Sequence, residues 1–429
     1  MSTTAAMARH KGGLSVMQGA ALYVGAVLGT GVIALPALAA GVAGPASLVA
    51  WLGLVVLSVP LAATFAALGA RYPDAGGVST YVRNAFGPRA AAIVGWCFYF
   101  AVPAGAPAAA MFGGAYVAAA FGGGEWTVIG TAAALMFTVT VANALGVTVS
   151  GRLQLMLAAL LVALLLAAVI ASAPHARAEN LHPFAPHGWF AVLPAAALLV
   201  WSFAGWEAIT HLAAEFRRPA HDLPLATGFA VVVVGVLYMG VATMSVMVLG
   251  PNASTSGAPL AELLARGLGG KVQLLAAVAA LLLTLGTMNA YFAGAAKLGA
   301  ALGRDGALPA WLAQGSRAGD VPRRSLFVIA GLAALALVAV VIAGVGPKPL
   351  VLLTTGSFVT VYALGAAAAL RLLPRGSWPH HCARVALIAV AGLCCATGWY
   401  LLWPLVITAC ALLYLRVRRV SASSTRATP

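Results

Sequence analysis

The sequence predicts an all-α membrane protein of twelve spans, two five-helix repeats followed by two further helices. Three observations carry that expectation. Of 429 residues, 62% are hydrophobic and only 8% charged. Soluble domains carry about 25% charged residues, so water cannot be the solvent for this surface. Apolar runs of helix length follow one another almost end to end, and about 20 such residues cross the hydrocarbon. Finally, the first and sixth runs are both interrupted by glycine at mid-length, the five-span offset that an inverted repeat of five helices requires.

In order, the spans fall at 14–42, 46–70, 90–120, 126–147, 152–173, 189–214, 225–250, 271–302, 325–345, 348–372, 384–399 and 400–417. The first follows Arg9 and Lys11. Ala37-Leu38-Ala39 has the small-residue look of a signal-peptide cleavage site, but helix-length apolar sequence runs through it, and the segment is read as a mature helix. Spans 1–5 make a first repeat over 14–173 and spans 6–10 a second over 189–372; residues 384–417 hold the last pair. The turn inside that pair is marked only by Trp399, Tyr400 and the approach to Pro404. Ala258–Gly270 alternates apolar and polar residues at helical spacing and reads as a short amphipathic helix over the outer mouth. The tail 421–429 is small and polar and is expected to be disordered.

The net charge is +15. The basic residues occupy short connections, with no basic stripe interleaved with aromatics, so nucleic acid is not the expected partner. With the N-terminus inside, twenty of the 24 Lys and Arg fall on the cytoplasmic side; Arg177, Arg266, Lys271 and Lys348 remain outside. Shifting the register by one span inverts that ratio, so the positive-inside rule places both termini in the cytoplasm. The expected setting is the inner membrane of a bacterial cell, with the lipid bilayer as partner. Nothing in the sequence specifies an oligomer.

The first span carries Gly25-Ala26-Val27-Leu28-Gly29-Thr30-Gly31, the sixth Trp201-Ser202-Phe203-Ala204-Gly205-Trp206-Glu207. Glycine costs a helix interior about 1 kcal/mol relative to alanine, so these clusters favour local unwinding. In lipid, bared backbone is tolerated only where it lines a cavity. Most of the 48 glycines serve helix packing instead; the paired position of these two clusters is what marks a binding site. Val27, Gly29, Thr30, Gly31, Trp201, Ser202, Phe203, Ala204 and Gly205 are the candidate substrate-binding residues. Thr30 and Ser202 would offer hydroxyls, Trp201 a wall, and the half-helix N-termini amides for a carboxylate. No second deep acid waits for a cationic side chain, so a neutral, apolar amino acid is the expected substrate.

Glu207 is the one carboxylate placed well inside the membrane, where an ionisable group costs about 2.5–3.5 kcal/mol on insertion scales. Two roles fit it: exchanging a proton as the site opens, or accepting hydrogen bonds from the unwound backbone. Cys97, Cys382, Cys394, Cys395 and Cys410 lie in or beside apolar helices without metal-ligand spacing, and read as packing residues. His211 reads as interfacial, and Gly303-Arg304-Asp305-Gly306 as loop. No triad, phosphate loop or metal box suggests an enzyme, and no carbonyl filter or charged ring suggests an ion channel. No cofactor is expected; a proton gradient would drive the cycle.

These residues resemble the amino acid–polyamine–organocation transporters. The resemblance rests on Gly29-Thr30-Gly31; on Arg71-Tyr72-Pro73-Asp74-Ala75-Gly76-Gly77 with Phe86-Gly87 and Gly95-Trp96; on Phe203 to Glu207 with Glu215-Phe216-Arg217-Arg218-Pro219 and Leu223-Pro224; and on Lys297 with Arg304 to Pro309. Within that family the sequence most resembles bacterial methionine and branched-chain amino acid exporters. The resemblance implies a LeuT-like inverted-repeat fold and proton-linked export of methionine, leucine, isoleucine or valine, with uptake or exchange of another amine-bearing solute as the alternative. It further implies that the broken segments hold the substrate's amino and carboxylate groups. Trp201 and Glu207 match positions proposed, in related arginine–agmatine exchangers, to stack on substrate and to sense protons. Two departures stand out: Leu161 where many members carry a lysine in helix 5, and Ala67 where an acid is frequent near the end of helix 2. They remove the family's common coupling device and leave Glu207 as the leading candidate.

Overall fold

The computed structural model describes residues 14–73, 77–146, 151–207, 213, 216–269, 272–314 and 321–424. Arg9, Lys11, Asp74, Ala75, Gly76, His211, Glu215, Gly270 and Lys271, all named in the sequence analysis, lie outside them. In chain order the helices are α1 (Val16–Val27), α2 (Gly31–Ala43), α3 (Ser47–Arg71), α4 (Val78–Phe86), α5 (Pro88–Phe121), α6 (Glu125–Ala144) and α7 (Gly151–Ser172). Then come α8 (Val192–Leu199), α9 (Pro219–Leu249), α10 (Pro259–Leu268), α11 (Gln273–Arg304), α12 (Arg323–Ile342), α13 (Lys348–Leu372), α14 (Trp378–Thr397) and α15 (Leu402–Ser424). Among the described residues there is no extended sheet, only an isolated bridge between Leu14 and Phe216.

Nine helical stretches among the described residues are long and apolar enough to cross a membrane. Two of them, Gly31–Arg71 and Trp378–Arg418, each contain two α-helices, and Val16–Val27 and Trp189–Phe203 are shorter apolar pieces. The exterior confirms the solvent: Phe137, Ile170, Ile342 and Ile388 are each at least 70% exposed, an apolar surface that only lipid satisfies. Trp126, Trp189 and Trp399 are exposed near helix starts, as expected of interfacial aromatics. Inside the bundle, α5 packs against α6, α11 and α13, α9 against α1 and α3, and α2 against α8.

Local chemistry explains several boundaries. Ser15 and Gln18 form a reciprocal capping box that starts α1, satisfying amides that the first turn leaves open. α9 begins at Pro219, earlier than the expected 225. Its proline suits a first-turn position, where no amide is missed, and Asp222 places negative charge in the same turn. The amphipathic α10 forms where alternation predicts it. α4 is a departure: the sequence reading left this stretch as a connection. It buries Val78, Tyr81 and Val82 while exposing Arg83 and Asn84, and Gly77 and Gly87, both at positive φ, bracket it. A second correction concerns the tail: α15 continues through Ser424, past the expected onset of disorder at Ser421, while 425–429 lie outside the described residues.

Candidate functional site

Both expected interruptions are present. α1 ends at Val27, where Leu28 adopts φ −73°, ψ 68° and the Gly29 amide donates to the Val27 carbonyl at 2.8 Å. That pairing is an inverse γ-turn. α2 restarts at Gly31 behind Thr30, whose side chain makes no capping bond, so the opening amides of α2 lack intrahelical acceptors. In the sixth span, α8 tightens into a 3-10 turn over Val200–Phe203. Ala204 is then extended (φ −70°, ψ 136°) and Gly205 takes φ +127°. A side chain at Gly205 would stand 2.9 Å from the Ala26 carbonyl oxygen, so glycine is what lets the two breaks touch.

A single hydroxyl ties the breaks together. Tyr238 of α9 lies 2.6 Å from the Ser202 carbonyl and 2.8 Å from the Val27 carbonyl, sharing one proton between two unwound acceptors. Tyr238→Phe removes the donor to the Ser202 carbonyl and leaves the Val27 carbonyl with the Gly29 amide alone, and losing a partner in a buried site costs about 1–3 kcal/mol. Thermal unfolding of the purified variant should begin several degrees below wild type, and an unchanged transition would remove this role. Tyr116 of α5 does similar work nearer α10, donating to the Ile33 carbonyl at 2.7 Å and accepting from the Leu260 amide at 3.2 Å.

The breaks face one cavity, lined from the first span by Ala26, Val27, Gly29, Thr30 and Gly31 and from the sixth by Trp201 and Ala204. α5 contributes Ala101, Val102, Gly105, Ala106 and Ala109; α11 adds Thr287, Met288 and Tyr291; α13 adds Thr354 and Phe358. No charged side chain lines it among the described residues. Its volume is about 50 Å³ measured to the centres of water-sized spheres. Trp201 meets Phe112 edge-on, centroids 6.4 Å apart. Its ring lies where side chains at Gly31 and Gly105 would stand, 2.9 and 2.8 Å from their ideal Cβ positions.

Of the nine residues expected at the site, the structure brings Val27, Gly29, Thr30, Gly31, Trp201 and Ala204 to the cavity wall; Ser202, Phe203 and Gly205 do not line it. The 3-10 turn gives the reason: with three residues per turn, positions i and i+3 eclipse, so Trp201 and Ala204 share a face that excludes the two between. Ser202 is buried against Gly31, and its hydroxyl finds no hydrogen-bond partner among the described residues. Phe203 packs edge-on against Tyr238 at 5.0 Å and beside Trp51 at 5.9 Å. Gly205 serves as backbone, as above.

Glu207 is 5% exposed and stands behind the wall. Its Oε2 accepts from the Tyr362 hydroxyl at 2.6 Å and from the Gly205 amide at 3.1 Å. The carboxylate thus fastens the unwound segment to α13. Behind it Trp206 is fully buried, its carbonyl 3.5 Å from the Tyr23 hydroxyl and its ring 5.8 Å from the tyrosine ring. Leu161 is buried in α7, with no cation at the position where the family resemblance places a lysine. The sequence reading missed Tyr362, Tyr238, Met288 and Thr354. One signal was available: Thr287, Asn289 and Tyr291 form a polar cluster within an apolar span.

A helical, lipid-facing bundle with a small cavity between two broken helices defines a multi-pass membrane permease. Comparison with known proteins gives the family. The amino acid permease profile matches residues 14–422, and the chain belongs to that family, within the amino acid–polyamine–organocation superfamily. An uncharacterized amino acid permease of Bacillus subtilis, YecA, is 33% identical over 402 residues, 94% of this chain and 95% of the relative. The L-methionine/branched-chain amino acid exporter YjeH of Escherichia coli is 31% identical over 421 residues, 95% and 96% of the two chains. The branched-chain amino acid permease BcaP of Bacillus subtilis is 25% identical over 254 residues, 55% and 54% of the two. These relatives carry the names of permeases and exporters, not of enzymes.

Proposed function

We propose that this permease is a proton-linked exporter of neutral apolar amino acids, methionine, leucine, isoleucine and valine, working by alternating access. The observation that carries the reading is the cavity between the two breaks, walled by Val27, Val102, Met288 and Phe358 and free of charged side chains among the described residues. The opening amides of α2 suit the carboxylate, and the carbonyls of the unwound sixth span suit the ammonium. The apolar wall then takes the side chain. Such a wall separates substrates differing by one methylene by only about 1–3 kcal/mol, so the four amino acids compete. YjeH, by its name, exports this set.

The same reading places residues 14–173 and 189–372 as inverted repeats of a LeuT-like fold of twelve spans, with α14 and α15 outside them. Both termini are then cytoplasmic in a bacterial inner membrane. Counterflow of radiolabelled methionine in proteoliposomes tests the function. Internal unlabelled methionine, leucine, isoleucine or valine should each drive uptake of label, while arginine should not. Absence of counterflow with every neutral amino acid would reject the proposal.

A further inference from the structure

Far from the cavity, where the ends of several helices meet, a second cleft is built differently. α5 starts there at Pro88, α11 ends there at Arg304, and α15 passes with Arg418. The cleft has a volume of about 580 Å³, within the range of small-ligand sites. Arg83 from α4, Arg89 from α5 and Arg418 from α15 converge on it, with Asp305 as its single acid. Arg83 is matched to that acid at 3.4 Å. Arg89 and Arg418 have no acidic partner among the described residues. The Arg418 guanidinium occupies the space that a side chain at Gly306 would fill, so the glycine admits it to the cleft. The remaining wall includes Leu302, Leu415 and Ala92, apolar surface that continues toward the spans.

Arginines at helix ends are ordinarily a solvated rim, each free to point into water. These two instead share one concave site with a third arginine already paired. The excess is two positive charges beside an apolar wall. Planar guanidinium groups match phosphate oxygens two at a time, and basic pockets between spans on the cytoplasmic side take anionic headgroups. We infer that this cleft binds a phosphate-bearing anion through Arg89 and Arg418, and that its seat at the ends of the spans fits the headgroup of an anionic phospholipid.

The test uses the full chain purified in detergent, with bound lipid counted by native mass spectrometry after incubation with phosphatidylglycerol or phosphatidylcholine. Wild type should retain phosphatidylglycerol over phosphatidylcholine by about tenfold or more, since each arginine near such a headgroup contributes about 1 kcal/mol. Arg89→Gln and Arg418→Gln should each reduce that preference severalfold, while Arg375→Gln, an exposed arginine elsewhere, should leave it intact. A parallel arm measures thermal unfolding with inorganic phosphate. Stabilisation of wild type but of neither variant, without lipid preference, would keep the site and assign it a soluble phosphate source. Equal retention of both lipids with no phosphate effect, or a preference that survives both substitutions, would overturn the inference.

Discussion

Gly205→Ala is expected to abolish methionine counterflow while leaving enough folded protein to purify. At φ +127° a side chain is strained by about 1–3 kcal/mol. In addition its Cβ would stand 2.9 Å from the Ala26 carbonyl and 3.2 Å from the Val27 Cα. Both neighbours are backbone, so neither can rotate away. Relief comes only by parting the two breaks, which separates the α2 amides from the carbonyls of the sixth span and pulls on the Tyr238 tie. The loss should therefore exceed what destabilisation alone brings: counterflow down by about a hundredfold or more, with thermal unfolding lowered by only several degrees. Gly53→Ala, where nothing lies within 4 Å of the added carbon, should transport at the wild-type rate. Counterflow near wild type in Gly205→Ala would mean that contact between the breaks is not needed.

Glu207→Gln separates the two roles of the carboxylate. The glutamine oxygen can still accept from Tyr362 and Gly205, so the fastening of the unwound segment survives, but the side chain no longer exchanges a proton. If Glu207 couples transport, a one-unit pH gradient drives about tenfold methionine accumulation in wild-type proteoliposomes, the equivalent of about 1.4 kcal/mol for one proton. In Glu207→Gln that ratio falls to about one while counterflow stays within a few-fold of wild type. A variant that still accumulates methionine with the gradient would leave Glu207 as a structural acceptor alone. Tyr362→Phe is the companion: it removes one donor to the carboxylate and should change the pH at which transport is half-maximal without abolishing it.

The parts of this account that were legible in the sequence are those with a backbone cause. Gly29, Gly31 and Gly205 announced the breaks because glycine weakens a helix wherever it stands, and the apolar runs announced the spans because lipid demands them. Side-chain direction was not legible. Ser202 and Phe203 sit beside Trp201 in the chain, but the tight turn that sends them to the other side forms only in the packed bundle. Tyr362 and Tyr238 were missed for a related reason. An aromatic residue in an apolar span looks like core until its hydroxyl is seen to meet a carboxylate or two bared carbonyls. α4, nine residues against the ten of α10, is as amphipathic as that helix and was legible by the same alternation. The charges on Arg89 and Arg418 were visible, and only the fold brings residues 329 positions apart into one cleft.

The proposed function rests on an amino acid being held by the bared backbone of two broken helices. A density map of the full chain in lipid nanodiscs at saturating methionine tests this most directly. The account predicts density for one methionine between Gly29–Gly31 and Trp201–Ala204, its carboxylate within hydrogen-bond distance of the first amides of α2 and its thioether toward Met288 and Phe358. Continuous first and sixth helices, or methionine bound elsewhere with this cavity closed, would contradict it.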